Sequence, residues 1–166
     1  MSNIVVHESA LVRKDPADSK VFCFDYDLAN LAPTVQITTS VFTLTEEDPY
    51  DAWDALVTYA VNDQVVTGGV IYLCLLESLN HVPPNTTYWT AIGTSTALTK
   101  DSEARLTAAE ATTALQRTVT VDNRVTRLRL IGGTLGQIYQ IDNKVTTTET
   151  PAQIKERSFR VKIEQQ

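Results

Sequence analysis

The sequence predicts a mainly β protein: an immunoglobulin-like antiparallel β-sandwich interrupted by a small aromatic-cored β mini-domain. Three observations predict it. Residues 1–45 and 116–166 carry runs of β-branched, aliphatic and aromatic residues, several of them alternating strictly with polar ones. That alternation is the pattern of antiparallel strands with one buried face. Neither flank alone has enough strands to close a core, whereas together they approach the ~100 residues of an immunoglobulin-type sandwich. Between them, residues 48–92 differ in composition, with Trp53, Tyr59, Tyr72, Tyr88 and Trp89 crowded into one block. The predicted organisation is a discontinuous sandwich (1–45 with 116–166), an inserted module at 48–92 and a connector at 93–115.

In chain order, the first strand-like run is Val21-Phe22-Cys23-Phe24-Asp25-Tyr26, with Phe22, Phe24 and Tyr26 on one face. Residues 34–44 follow, rich in the β-branched residues that suit a pleated sheet. Pro33 stands just before them, where a missing N–H does little harm. Inside the connector, Thr107-Ala108-Ala109-Glu110 has the spacing of a capping box and two helix-favouring alanines, which predicts one short helix near 102–115. Further on, Leu128 and Leu130 alternate with arginines, Tyr139 and Ile141 with Gln140 and Asp142, and Phe159, Val161 and Ile163 with Arg160 and Lys162. The link Gly132-Gly133-Thr134-Leu135-Gly136 offers residues tolerant of positive φ between two of these strands. Tyr139, just past Gly136 at the head of a strand, suits a tyrosine corner, in which the hydroxyl meets upstream backbone. An ordinary core tyrosine is the alternative.

Hydrophobic content of 43% against 20% charged residues is that of a folded chain, not a disordered one. The net charge of −6 repels polyanions, so neither nucleic acid nor an anionic membrane is an expected partner. No apolar run approaches the ~20 residues of a membrane helix. Met1 to Glu8 lacks the basic and apolar regions of a signal peptide, so synthesis in a cytoplasm is expected. Cys23 and Cys74 each stand between apolar neighbours, which predicts buried free thiols, with a disulfide as the alternative.

No chemistry announces itself. There is no HExxH, no paired CxxC and no acidic calcium loop, so no metal site is expected. His7 and His81 sit in no recognisable arrangement. Asp25 and Asp27 share one side of a strand, but a solvated edge or turn is expected there rather than a cation site. Asp48, Asp51 and Asp54 decorate the start of the inserted block. Arg124, Arg127 and Arg129 form a local basic stripe, expected as a solvated or ion-pairing sheet face. The glycines of 132–136 precede a strand and lack the Lys-Ser/Thr and helix of a phosphate cradle. The chain is therefore expected to have no catalytic residue and no cofactor, and not to be an enzyme.

Two resemblances add to this reading. Lys14-Asp15-Pro16, the strand ending in Phe24-Asp25-Tyr26, the Thr/Val strand, Gly132 to Tyr139 and Glu156-Arg157-Ser158-Phe159-Arg160-Val161 resemble the phage fibre–tail adaptor family in order and spacing. The resemblance spans about sixty per cent of the chain. It implies a bacteriophage virion structural protein, made in the bacterial host cytoplasm and located in the tail. Its partners would be other tail, connector or fibre proteins, met in several copies of a symmetric assembly. In that family's usual form the sandwich is continuous, so the insert is a departure.

The central block is similar to the small chitin-binding type of carbohydrate-binding module, through Ala52-Trp53, Tyr59, Asn62-Asp63, Val65, Gly69, Tyr72, Pro84 and Trp89. Chitin-binding relatives commonly carry a further aromatic in the loop before the final Trp. Here that loop, Leu75 to Pro84, has no Phe, Tyr or Trp. The resemblance thus implies a folded module whose Tyr59, Tyr72 and Trp89 are structural, as are Gly136 and Tyr139 in the sandwich. Trp53, Leu79, Val82 and Tyr88 are the candidate glycan or partner contacts. A glycan-binding module for host attachment and a capsid decoration protein are the alternative expectations.

Overall fold

A computed structural model describes residues 3–5, 11–26 and 31–165, the side chains of 3–5 excepted. His7 and Asp27 lie outside the described residues. The first sheet joins β1 (Asn3–Val5), β3 (Lys20–Asp25), β12 (Val125–Gly132) and β11 (Leu98–Leu106), in the order β1-β3-β12-β11. The second joins β2 (Leu11–Lys14), β14 (Ile154–Ile163), β13 (Ile138–Thr147) and β4 (Ile37–Glu46), in the order β2-β14-β13-β4. These are the two four-stranded sheets of a β-sandwich, with β1 added in parallel beside β3. β2 is added in parallel beside the last strand.

The alternation read from the sequence is what buries the core. Tyr139, Ile141 and Val145 of β13 and Phe159, Val161 and Ile163 of β14 point inward, against Phe22 and Phe24 of β3 and Leu128 and Leu130 of β12. Phe159 is the hub of the contact, with ring centroids 4.9 Å from Phe22 and 5.2 Å from Phe24. The strand of residues 34–44 begins only at Ile37, because the backbone before it turns under Arg124.

The 93–115 stretch is more than a connector. It supplies β11, paired along its length with β12, and α1 (Ala108–Leu115). Thr107 caps this helix and exchanges bonds with Glu110, the reciprocal box its spacing predicts. Ala111 packs with Cys23, Leu106, Val119 and Val125 on the outer side of the first sheet. β3 is therefore buried on both faces, and sequence periodicity shows only one of them. Cys23 and Cys74 are free, buried thiols. Burial pushes the Cys23 thiol up to about 11, which leaves it a packing group.

The basic stripe needs correction. Arg124 is buried, with its guanidinium donating to the carbonyls of Val35 (2.9 Å) and Ala32. Only Arg127 and Arg129 remain on a half-exposed face. Asp25, expected at a solvated edge or turn, is instead buried and paired with Arg117 at 2.5 Å. Lys14 is also buried, with its ammonium donating to the carbonyls of Asp15 and Gly132, both at 2.8 Å. Burial lowers its pKa, against the opposing pull of Asp18 and Asp15.

The insert leaves the second sheet after Glu46 and rejoins the first at Leu98. Within it, β5 (Asp51–Ala52), β7 (Gln64–Thr67), β8 (Val70–Cys74) and β10 (Trp89–Thr94) form a sheet in the order β10-β8-β7-β5. β6 (Thr58–Tyr59) and β9 (Ser78–Leu79) form a two-stranded ribbon. Its core is Tyr59, Val65, Cys74 and Trp89, with Trp53, Tyr72 and Tyr88 partly buried against it.

Candidate functional site

Both ends of the insert are held at one corner of the sandwich. The turn between β12 and β13 places Gly133 at φ +106° and Gly136 at φ +89°, values that favour glycine. A Cβ on Gly133 would also stand 2.6 Å from Ile163 Cδ1, so a side chain there would require Ile163 to shift. The turn aims the N–H of Thr134 at the Tyr139 hydroxyl, which accepts it at 3.2 Å. This is the tyrosine-corner geometry, five residues upstream of the ring.

Thr134 then reaches the far end of the insert. Its hydroxyl donates to the Thr96 carbonyl at 3.0 Å and accepts the Thr96 N–H at 2.9 Å. The near end is tied to the same place. Tyr139 donates to Glu46 at 3.4 Å, Glu47 N–H donates to the Ile138 carbonyl at 2.9 Å, and Arg160 clasps the Glu47 carboxylate through two nitrogens. One corner thus fixes where the insert starts and where it returns.

Burial pushes the Tyr139 hydroxyl above the ordinary tyrosine value, against the lowering effect of its bonds with Thr134. The neutral phenol is the form the fold favours. Its contribution is present below pH 10.0, the unperturbed value, and is lost as pH rises through the higher folded pKa. Tyr139→Phe is expected to cost about 1 kcal/mol through loss of the buried hydroxyl contacts. A denaturant titration checks this, and unchanged stability would count against the corner.

Two clefts open where insert and sandwich meet. One, of about 470 Å³, is lined by Glu47, Asp48, Tyr50, Asp51 and Gln64 facing Gly136, Gln137 and Ile138. The other, of about 410 Å³, lies beyond Tyr50, between Ile71 and Ile92 on the insert and Pro16, Gly133 and Leu135 on the sandwich. Asp48 and Asp51 thus line the first cleft, while Asp54 turns away to accept the Leu56 N–H at 2.8 Å. Arg160, bonded to Glu47, holds that carboxylate below its usual range, the opposite of what a general acid needs. Among the described residues no group of three His, Cys, Asp or Glu side chains is placed to hold a metal ion. No helix among them is long and apolar enough to cross a membrane.

The expected contact residues divide into two kinds. Trp53 and Tyr88 are half-buried and belong to the packing of the insert. Tyr88 lies flat on His81, with centroids 3.7 Å apart and planes at 15°, so one of its ring faces is occupied. The loop without Phe, Tyr or Trp thus does lie under an aromatic, borrowed from beyond it. Leu79 and Val82, in contrast, are exposed. Tyr59 and Ser78, directly opposed, both face the core. The period of 2 therefore turns Thr58, Leu79 and Glu77 outward.

Sequence reasoning missed the company these two keep. Leu56, Val57, Val61, Leu75 and Leu76 are exposed in the same module. The signal was present as an absence: no Lys or Arg occurs between Lys20 and Lys100. Block 48–92 holds five acidic residues and none of the 14 cations, so of the net −6 it carries −5 and the rest of the chain −1. Several exposed aliphatic side chains, with only acidic charge among them, distinguish this module from the sandwich. No family model and no curated protein matches the chain.

Proposed function

We propose that this chain is a non-enzymatic bacteriophage virion structural protein, an adaptor that joins tail or connector to fibre through protein–protein interfaces. The observation that carries the reading is the insert's attachment. A β module pinned at both ends to the Tyr139 corner projects aliphatic side chains into solvent on a fixed base. A rigid two-part molecule of this kind can engage one partner through the sandwich and another through the module, with little ordering cost on association. The order and spacing of Lys14-Asp15-Pro16, Phe24-Asp25-Tyr26 and the Gly132 to Tyr139 corner add the resemblance to fibre–tail adaptors. Locating the chain in a cryo-EM map of the intact particle tests this. Density for it between tail or connector and fibre is the expected result, and density confined to the capsid surface would overturn it.

The same geometry argues against sugar as the module's ligand. Stacking a pyranose needs a free, flat aromatic face. Trp53 and Tyr88 are engaged in packing, and one face of Tyr88 is covered by His81. The protein is expected to pass through insoluble chitin unretained and to show no Kd tighter than about 100 μM for soluble oligosaccharides, roughly −5.5 kcal/mol. Tighter binding, abolished by Trp53→Ala in a variant that still folds, would show the opposite.

A further inference from the structure

We propose that the cleft between Tyr50 and the Gly136 turn binds an arginine side chain of a protein partner, with an apolar side chain of the same partner segment seated in the adjoining cleft. This deepens the adaptor reading, on which it rests only in taking the ligand to be part of a protein.

Charge without a counter-ion is the first observation. Glu47, Asp48 and Asp51 line the first cleft, and no Lys or Arg does. Glu47 is neutralised by Arg160. Lys162, cross-strand from Ile138 in the cleft wall, pairs with Glu164 at 3.3 Å. Asp48 and Asp51 are both exposed, and among the described residues neither carboxylate has an ion pair or a hydrogen bond.

Gln137 is the second, independent observation. It lines the same cleft and is only 8% exposed, yet its carboxamide makes no hydrogen bond among the described residues. A polar group so deeply placed is ordinarily bonded, so an amide left open in a cleft wall points to a ligand. The Gln64 carboxamide and the Tyr50 hydroxyl, also in the wall, are likewise unbonded.

The placing of these groups selects the ligand. No three acidic, His or Cys side chains among the described residues are set to hold a metal ion, so the acceptors are too dispersed for a point charge. A guanidinium spreads five N–H donors over a planar fork and can meet carboxylates and an amide oxygen together, whereas an ammonium gathers its donors on one atom. Its flat face also suits an aromatic ring such as that of Tyr50. The second cleft argues for a chain segment over a free small cation. It shares Tyr50 and Gln64 with the first and is lined by Ile71, Ile92 and Leu135. An extended segment turns residues two apart to the same side, so one segment can fill both clefts.

NMR titration of the isotope-labelled full-length protein with the capped peptide Gly-Arg-Gly-Leu-Gly tests this. Saturable shifts at the amides of Tyr50, Asp51, Gln64, Gly136 and Gln137 are expected, with a Kd of about 1 mM or tighter. Exchanging the peptide's Arg for Lys should weaken binding by about tenfold, and methylguanidinium alone should bind about tenfold more weakly than the peptide. Asp48→Asn with Asp51→Asn should weaken binding by about tenfold or more. Asp54→Asn with Glu77→Gln, which removes equal charge outside the cleft, should leave binding unchanged. Thermal melts of both double variants check that they remain folded. No saturable shift at these amides overturns the proposal, as does binding that survives the Asp48 and Asp51 exchange or falls equally with the control pair. A Lys peptide of equal affinity overturns the choice of guanidinium, and methylguanidinium binding as tightly as the peptide overturns the partner segment. None of these outcomes touches the adaptor reading, which the position of the chain in the particle decides separately.

Discussion

Trp89→Ala is expected to destabilise the inserted module by about 3–5 kcal/mol, the range for removing a buried aromatic side chain. Trp89 is buried among Tyr59, Val65 and Cys74, with the Tyr59 ring edge-on at 5.3 Å. Its indole N–H donates to the His81 carbonyl at 2.5 Å and so ties down the loop that carries Val82. A module this small has few other apolar contacts with which to refill the space. Hydrogen exchange read strand by strand checks the prediction. Protection should fall in β6 to β10 and persist in β3 and β12 to β14, because insert and sandwich have separate core clusters. A loss under about 1 kcal/mol would sink the prediction, since it would mean the cavity had collapsed at little cost. Equal loss of protection in β13 would mean that the two cores unfold as one.

Asn143→Ala is expected to cost about 3 kcal/mol, a sum over buried groups left without a partner at about 1–3 kcal/mol each. Asn143 is fully buried at the middle of β13, an inward position where alternation alone calls for an apolar residue. Its carboxamide oxygen accepts from the hydroxyls of Tyr26 (2.8 Å) and Thr126 (2.9 Å). Its nitrogen donates to Ser40 Oγ at 2.8 Å. One amide thereby joins β12 and the end of β3 in the first sheet to β4 in the second. Tyr26 keeps a bond to the Asn143 backbone carbonyl at 3.1 Å, which sets the cost below the full loss of each partner. Chemical denaturation at neutral pH measures it. Adding Thr126→Val should restore part of the loss, because it removes one orphaned hydroxyl. A double variant less stable than the single would refute the network.

The sequence by itself determined the class of the fold. Alternation at 128–130, 139–145 and 159–163 named strands whose inward residues are the observed core, because a side-chain period of 2 admits one burial pattern. The capping box at Thr107 and Glu110 located α1, since its reciprocal bonds are local and need no tertiary partner. Gly136 and Tyr139 announced the corner by spacing alone.

What only the tertiary structure decided are the features that depend on residues far apart in the chain. β11 reads as connector because Leu98 and Leu106 are its only buried ends, with solvated residues between them. Its place in the sheet comes from pairing with β12, which no local pattern encodes. Arg124 and Lys14 are buried where charge suggests surface, because backbone carbonyls from other segments accept their hydrogen bonds. Asn143 breaks the apolar alternation for the same reason, its partners lying on three other segments. The module's outer face was half-legible. Leu79 and Val82 stood out as apolar residues in a loop, but an aliphatic side chain looks alike in sequence whether it is buried or exposed. Only pairing of Tyr59 with Ser78 toward the core turned Leu79 outward, because opposed residues of a β-ribbon share a face and their neighbours take the other.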